Sequence, residues 1–224
     1  MRHTREIVRP SFGRILVALA SVAMLAGPDP ASADRGAFTV EGGPVGRLGS
    51  MPPSAGTGDS VIGTTGGGTL GVRFALTNRL ELHARGFYDA PGTFVHFPVL
   101  VSTGSGEQSG ALTQALSRWG AAAGVRYIVA GLVWRIPVGL EFGWMHTRLT
   151  GREFVNPADG TPIGVQLGDQ SHDQLLVAPF LGLEWQATDH LSFALLPRLE
   201  IVTGTPSTVG VVAPLLIGWS WYGL

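Results

Sequence analysis

The feature that most constrains this chain is an alternation of apolar residues with small or charged ones. Residues 69–76 read Thr-Leu-Gly-Val-Arg-Phe-Ala-Leu, so Leu70, Val72, Phe74 and Leu76 share one face while Gly71, Arg73 and Ala75 share the other. Successive side chains of a strand point to opposite faces, and strict alternation of this kind specifies a strand. The pattern recurs at about 37–48, 80–89, 118–129, 132–147, 175–186, 191–202 and 209–222, which makes eight segments. After residue 34 no apolar run reaches the roughly 20 residues of a membrane-spanning helix. Yet the chain is 45% hydrophobic and only 14% charged, whereas soluble surfaces are built with more charge.

The N-terminal segment reads as an address. Arg2, Arg5, Arg9 and Arg14 precede an apolar run from Ile15 to Ala26, and Ala31-Ser32-Ala33 closes it. A basic start, a short apolar core and an A-x-A site make a secretory signal peptide over residues 1–33. The run is too short for a membrane anchor. The mature chain then begins near Asp34. It has no Cys, which excludes a disulfide scaffold and thiol chemistry. The net charge of −1 leaves no footprint for nucleic acid.

Connections between the alternating segments fall into two lengths. Thr77-Asn78-Arg79, Ala130-Gly131 and Ala187-Thr188-Asp189-His190 are short, while those at about 49–68, 90–117 and 148–174 are long. Short and long connections alternate, so an up-and-down arrangement gathers the short ones at one end. Within the third long connection, Arg148 to Val155 and Ile163 to Gly168 flank the turn-rich Asn156-Pro-Ala-Asp-Gly-Thr161 and read as a hairpin. Phe94 to Val101 reads as an extension of the third strand or as an extra strand. Ala111 to Arg118 reads as a short loop helix.

Alternation alone does not say which face is outside, because a soluble lipocalin-like barrel turns its apolar face inward. Three observations choose. Every charge in the central segments lies on the less apolar register: Glu41, Arg47, Arg73, Glu81, Arg85, Arg126, Arg135, Glu141, Glu184, Arg198 and Glu200, joined there by His83. The rest of that register is largely Gly and Ala, which suits a tight interior. All six Trp lie on the apolar register near strand ends: Trp119, Trp134, Trp144, Trp185, Trp219 and Trp221. Trp134 and Trp144, read as one strand, are separated by roughly 25 Å along the normal, the height of an apolar band between aromatic girdles. Finally, the interior of an eight-stranded barrel is only just wide enough to be filled by side chains, so the bulky register belongs outside. Pro137, Pro179, Pro197 and Pro214 remove ladder donors and mark bulges or breaks.

On this pattern the chain resembles the small eight-stranded bacterial outer-membrane barrels, the OmpA transmembrane domain, OmpX and OmpW groups. The resemblance covers residues 34–224 and rests on signal peptide, strand count, loop sorting, girdles and inward charges. It implies an all-β, eight-stranded antiparallel up-and-down transmembrane β-barrel with both termini in the periplasm and the long loops outside. The partners it implies are outer-membrane lipids, lipopolysaccharide and the barrel assembly machinery. No loop ligand, cofactor or metal is specified.

The inward charges are the candidate site. Counting from the first short turn places Arg73 opposite His83 and diagonal to Glu81. Counting from the second places Arg126 opposite Arg135, which calls for carboxylates from elsewhere, with Glu81 and Glu184 at similar height. Unpaired charges in a narrow lumen are costly, so pairing is expected. A salt-bridged structural plug in a non-enzymatic surface protein is the first reading, and a narrow passive pore for ions, small solutes or apolar compounds the second. His190, Ser192 and Glu200 form a His/Ser/carboxylate set like that of lipid A deacylases, all placed inward by the count, where lipid does not reach. His146 is outward at the upper girdle, an interfacial position. His96 and His172 lie near Asp169 and Asp173 in long loops, a weak metal pattern. Gly63-Thr-Thr-Gly-Gly-Gly68 lacks the Gly-Lys of a phosphate loop and reads as flexible surface loop.

Overall fold

The computed structural model describes residues 35–50, 62–103, 106–131, 133–204 and 207–222. The expected signal peptide at 1–33 and the tip of the first long loop, 51–61, lie outside them. No described helix is long and apolar enough to cross a membrane. The described chain is all strand and turn.

In chain order the strands are β1 (Phe38–Ser50), β2 (Ile62–Ala75), β3 (Leu80–Thr103), β4 (Gly106–Ile128), β5 (Trp134–Arg135) and β6 (Pro137–Val155). They continue as β7 (Pro162–Leu167), β8 (Gln170–Leu181), β9 (Leu183–Gln186), β10 (Leu191–Leu195), β11 (Arg198–Thr203) and β12 (Thr208–Trp221). Every pairing is antiparallel, and β12 pairs back onto β1, closing the sheet into a ring. Closure leaves no sheet edge around the ring. Pieces that continue one another make up eight staves: β1, β2, β3, β4, β5 with β6, β8 with β9, β10 with β11, and β12. The hairpin strand β7 pairs only with β6, above the ring.

The breaks fall where backbone chemistry puts them. β10 and β11 are separated by Leu196-Pro197, and β8 and β9 by Gly182. β6 begins at Pro137. By contrast, Pro179 and Pro214 stay within their ladders, opposite Leu140 and Val45.

Several expectations are corrected. Ala130-Gly131 does not make a two-residue hairpin. The Val129 N–H donates to the Ile136 carbonyl and the Ile136 N–H to the Ala130 carbonyl, with Gly131 at φ 105°. The turn consumes residues up to Ile136, so Arg126 faces Gly139 rather than Arg135, and Arg135 faces Glu184. The segment 111–118 is strand within β4, not helix. The stretch 63–68 is strand within β2, paired with residues 44–49 of β1, not flexible loop. Ladder pairing also runs through most of 90–117. Register shifts at Asp89/Gly92 and His96/Val99 absorb Ala90-Pro91 and Phe97-Pro98, and pairing resumes beyond each. These bulges let a strand carry proline without losing its partner.

The period of two carries through burial. Glu81, His83, Arg85, Phe87 and Asp89 of β3 are buried while Leu82, Ala84, Gly86, Tyr88 and Ala90 are exposed. The same division holds along β2 and β12. The molecule is thus polar within and apolar without, the inverse of a soluble domain.

Candidate functional site in the barrel interior

Each of the twelve residues expected inside is buried: Glu41, Arg47, Arg73, Glu81, His83, Arg85, Arg126, Arg135, Glu141, Glu184, Arg198 and Glu200. They form two layers. Nearer the short turns, Arg73 reaches Glu41 at 2.8 Å, Glu81 at 3.2 Å and Glu184 at 3.1 Å. Arg126 meets Glu81 at 3.1 Å and also bonds Glu184. Arg126 therefore finds the two carboxylates expected at its height, although its own cross-strand partner is Gly139. Gly218 makes room for this layer, since a Cβ there would lie 2.7 Å from Ser192 Oγ and 3.4 Å from Arg73 Nη2.

Further up, Glu141 is fully buried and gathers three partners. His83 Nε2 lies 2.9 Å away, Arg85 Nη2 2.8 Å and Arg198 Nε 3.0 Å. Glu200 accepts from Arg85 at 3.1 Å and from Arg47, whose Nε also donates to Asp89 at 2.6 Å. Forked guanidinium groups suit such sites because one Arg serves two carboxylates at once. The rings of Phe87 and Phe180 cap the arginines. Arg85 lies 4.8 Å and Arg47 5.6 Å from the Phe87 centroid, and Arg198 lies 5.6 Å from that of Phe180. These are cation–π distances.

Two charged members were not singled out in the sequence. Asp89 and Arg118 are both buried and stand directly opposite each other on β3 and β4. The signal was present: Asp89 continues the odd register of Glu81 to Phe87, and Arg118 the even register of Gly120 to Arg126. The other omission is apolar. Phe87, Ala122, Met145, Leu176, Ala178 and Val202 pack together inside the barrel, with Met145 and Ala178 fully buried. Higher still, Phe94, Leu116 and Leu149 form one cluster, and Val99, Leu112 and Phe154 another. Small residues alone therefore do not fill the interior; apolar side chains pack between the ion pairs and beyond them.

The six Trp divide between the two ends. Trp119 and Trp144 meet edge-on at 4.6 Å with His146 beside them, 5.4 Å from Trp119. At the other end Trp134 stacks on Trp185, which stacks on Phe193, and Trp221 lies 6.2 Å from Phe38. Trp134 belongs to β5 and Trp144 to β6, so they do not share one unbroken strand as expected.

The His190, Ser192 and Glu200 set is not assembled. The His190 ring stacks on Trp219 at 5.6 Å, and its Nδ1 lies 2.8 Å from the Ser220 carbonyl oxygen, so it belongs to the girdle rather than the interior. Ser192 is buried and Glu200 is held by arginines. Among the described residues, no group of three or more His, Asp or Glu is placed to hold a metal ion.

Fold and interior together define a small closed β-barrel with an ion-paired core and an apolar belt, the fold of outer-membrane barrels. No family model and no curated protein matches the chain. Among solved structures, the attachment invasion locus protein Ail of Yersinia pestis matches with a TM-score of 0.52 at 11% identity, over 84% of this chain and 99% of that one. A structure of Ail in complex with the heparin analogue sucrose octasulfate matches with a TM-score of 0.51, at the same identity and coverage. The Neisserial surface protein NspA gives 0.49 at 10% identity, over 83% of this chain and 98% of that one.

Proposed function

We propose that this protein is a non-enzymatic resident of the bacterial outer membrane whose interior is a structural plug and whose hairpins above the membrane meet an outside partner. The observation that carries the plug reading is the layering of the lumen. Ion pairs lie on both sides of an apolar septum of Phe87, Met145 and Leu176: Glu81 and Arg85 stand below Phe87 on β3, and Asp89, held by Arg47, stands above it. The cavity at the short-turn end, lined by Arg73, Glu81, Arg135 and Glu184, measures only about 10 Å³. That is room for one water at most. A conducting path needs a continuous water column, and buried ion pairs interrupted by an apolar layer do not provide one.

Orientation follows from the loop asymmetry: short turns and both termini face the periplasm, long hairpins the outside. The partners are outer-membrane lipid, lipopolysaccharide and, during insertion, the barrel assembly machinery. The surface role is supported by the length of the β3–β4 and β6–β7 hairpins, which carry their own apolar clusters. It is also supported by Ail, an attachment protein seen with a sulfated ligand. The second reading, a passive pore, requires the septum to open.

Planar-bilayer recording of the purified barrel tests the choice. The plug reading predicts no steady current steps; stable, ion-sized steps in the unmodified protein would establish the pore instead.

A further inference from the structure

Above the ring, one buried cation stands apart from the ion-pair network. On β6 the inner register runs through Met145, Thr147 and Leu149, all buried. Continued by twos, it would bring Gly151 and Glu153 inside and leave Arg152 outside. The reverse is found. Gly151 and Arg152 together stand against Gln114 alone, between the pairs Ala115–Thr150 and Thr113–Glu153. Gly151 has φ 58°, the left-handed conformation of the first residue of a G1 bulge. The extra residue exchanges the faces, so Arg152 is only 3% exposed and Phe154 is buried beyond it.

The bulge turns this arginine into apolar surroundings. Phe94, Leu116 and Leu149 pack on its ring side, and Val99, Leu112 and Phe154 on the other. Among the described residues beyond the Asp89–Arg118 pair on β3, β4, β6 and β7, no carboxylate is buried. Asp169 is taken by Arg148 at 3.2 Å. Nη1 of Arg152 donates to the Gly168 carbonyl at 3.3 Å, while Nε and Nη2 are buried with no hydrogen-bond partner. These two donors share one edge of the guanidinium plane, the edge that grips two oxygens of one anion at once. Arginine does not shed its proton in proteins, and a buried charge without a counter-charge is costly.

We propose that the Nε–Nη2 edge of Arg152 binds a small oxyanion from solution, a carboxylate or phosphate, which neutralises the buried charge and tightens the β6–β7 hairpin. The site lies apart from the ion-pair tiers of the ring, so it holds whether or not the lumen conducts. The ligand is compact, because Leu112 and Leu116 on either side are fully buried and leave no room for an apolar body. Its way in is short. Gly168 and Asp169, just beyond β7, are exposed, and a Cβ at Gly168 would meet nothing within 4 Å.

The full mature chain is reconstituted in zwitterionic phosphatidylcholine vesicles. Amide exchange is followed by mass spectrometry as sodium acetate or inorganic phosphate replaces sodium chloride at constant ionic strength. The proposal predicts saturable slowing in β6 beyond Leu149 and in β7, about tenfold at about ten times the half-saturating concentration, with β12 unchanged. Arg152→Met keeps the bulk and removes the charge, so its exchange should not respond to either oxyanion. Arg152→Lys keeps the charge but loses the fork, and should respond only at higher concentration. Heat-modifiable gel migration checks that each variant forms the barrel. In the parent alone, the carbon-13 line of labelled acetate should broaden and sharpen again when phosphate is added. No saturable change in the parent would mean that water or chloride serves the fork equally well, and overturns the proposal. So does a change that survives in Arg152→Met.

Discussion

Glu141 shows what a single side chain does here. It is the one carboxylate shared by His83, Arg85 and Arg198, and none of these has solvent to turn to. Removing one partner of a buried ion pair leaves uncompensated charge, at a cost of about 3–5 kcal/mol. Glu141→Ala is therefore expected to lower barrel stability by that amount, read from the urea midpoint of the reconstituted protein. The exposed Arg148–Asp169 pair supplies the contrast: Arg148→Ala is expected to lower the unfolding free energy by no more than about 1 kcal/mol, because solvent screens it. At this scale the sequence was informative where one rule sufficed. Period two places all twelve candidate residues inside, and Asp89 and Arg118 follow from the same count carried one step further. It was silent on ion-pair partners such as Arg198 with Glu141, because these join staves whose relative stagger depends on every turn between them.

At the scale of elements, turns and bulges decide how far a pattern can be counted. The register was readable across Thr77-Asn78-Arg79, where Arg73 does face His83. It failed across Ala130-Gly131, where backbone bonds from Val129 and Ile136 lengthen the turn. The long β3–β4 hairpin was half legible: Phe94 to Val101 reads as a continuation of the third strand, but its partner at 111–118 reads as helix, and the bulges at Pro91 and Pro98 conceal the pairing that resumes beyond each. Above the first bulge the hairpin is stabilised by its own apolar clusters rather than by the ring. Leu116 is fully buried there. Leu116→Ala is expected to cost about 2–5 kcal/mol of local packing. Amide exchange should accelerate in β3 and β4 above residue 92, while the amides of β12 keep their protection. Equal acceleration throughout would mean that hairpin and ring unfold as one unit.

For the molecule as a whole, the chain divides each strand between two solvents. One register meets lipid and carries Leu, Val, Phe and Trp; the other packs a narrow interior with paired charges, glycine and a few buried apolar side chains. This explains a sequence that is apolar on average and yet never continuously so. The inside-out distribution was legible from the sequence because charge and bulk segregate so sharply by register; the apolar septum was not, since Met145 and Leu176 resemble any other large residue in a strand. The most direct test is a nitroxide scan of β3 in reconstituted bilayers, with single labels at Leu82, Ala84, Gly86 and Tyr88, which leave the ion-paired interior intact. Relaxation by dissolved oxygen, which partitions into lipid, should dominate at all four sites, with little effect from a water-soluble nickel chelate. Strong relaxation by the chelate at Leu82, Ala84 and Gly86 would place this face in water and contradict the account.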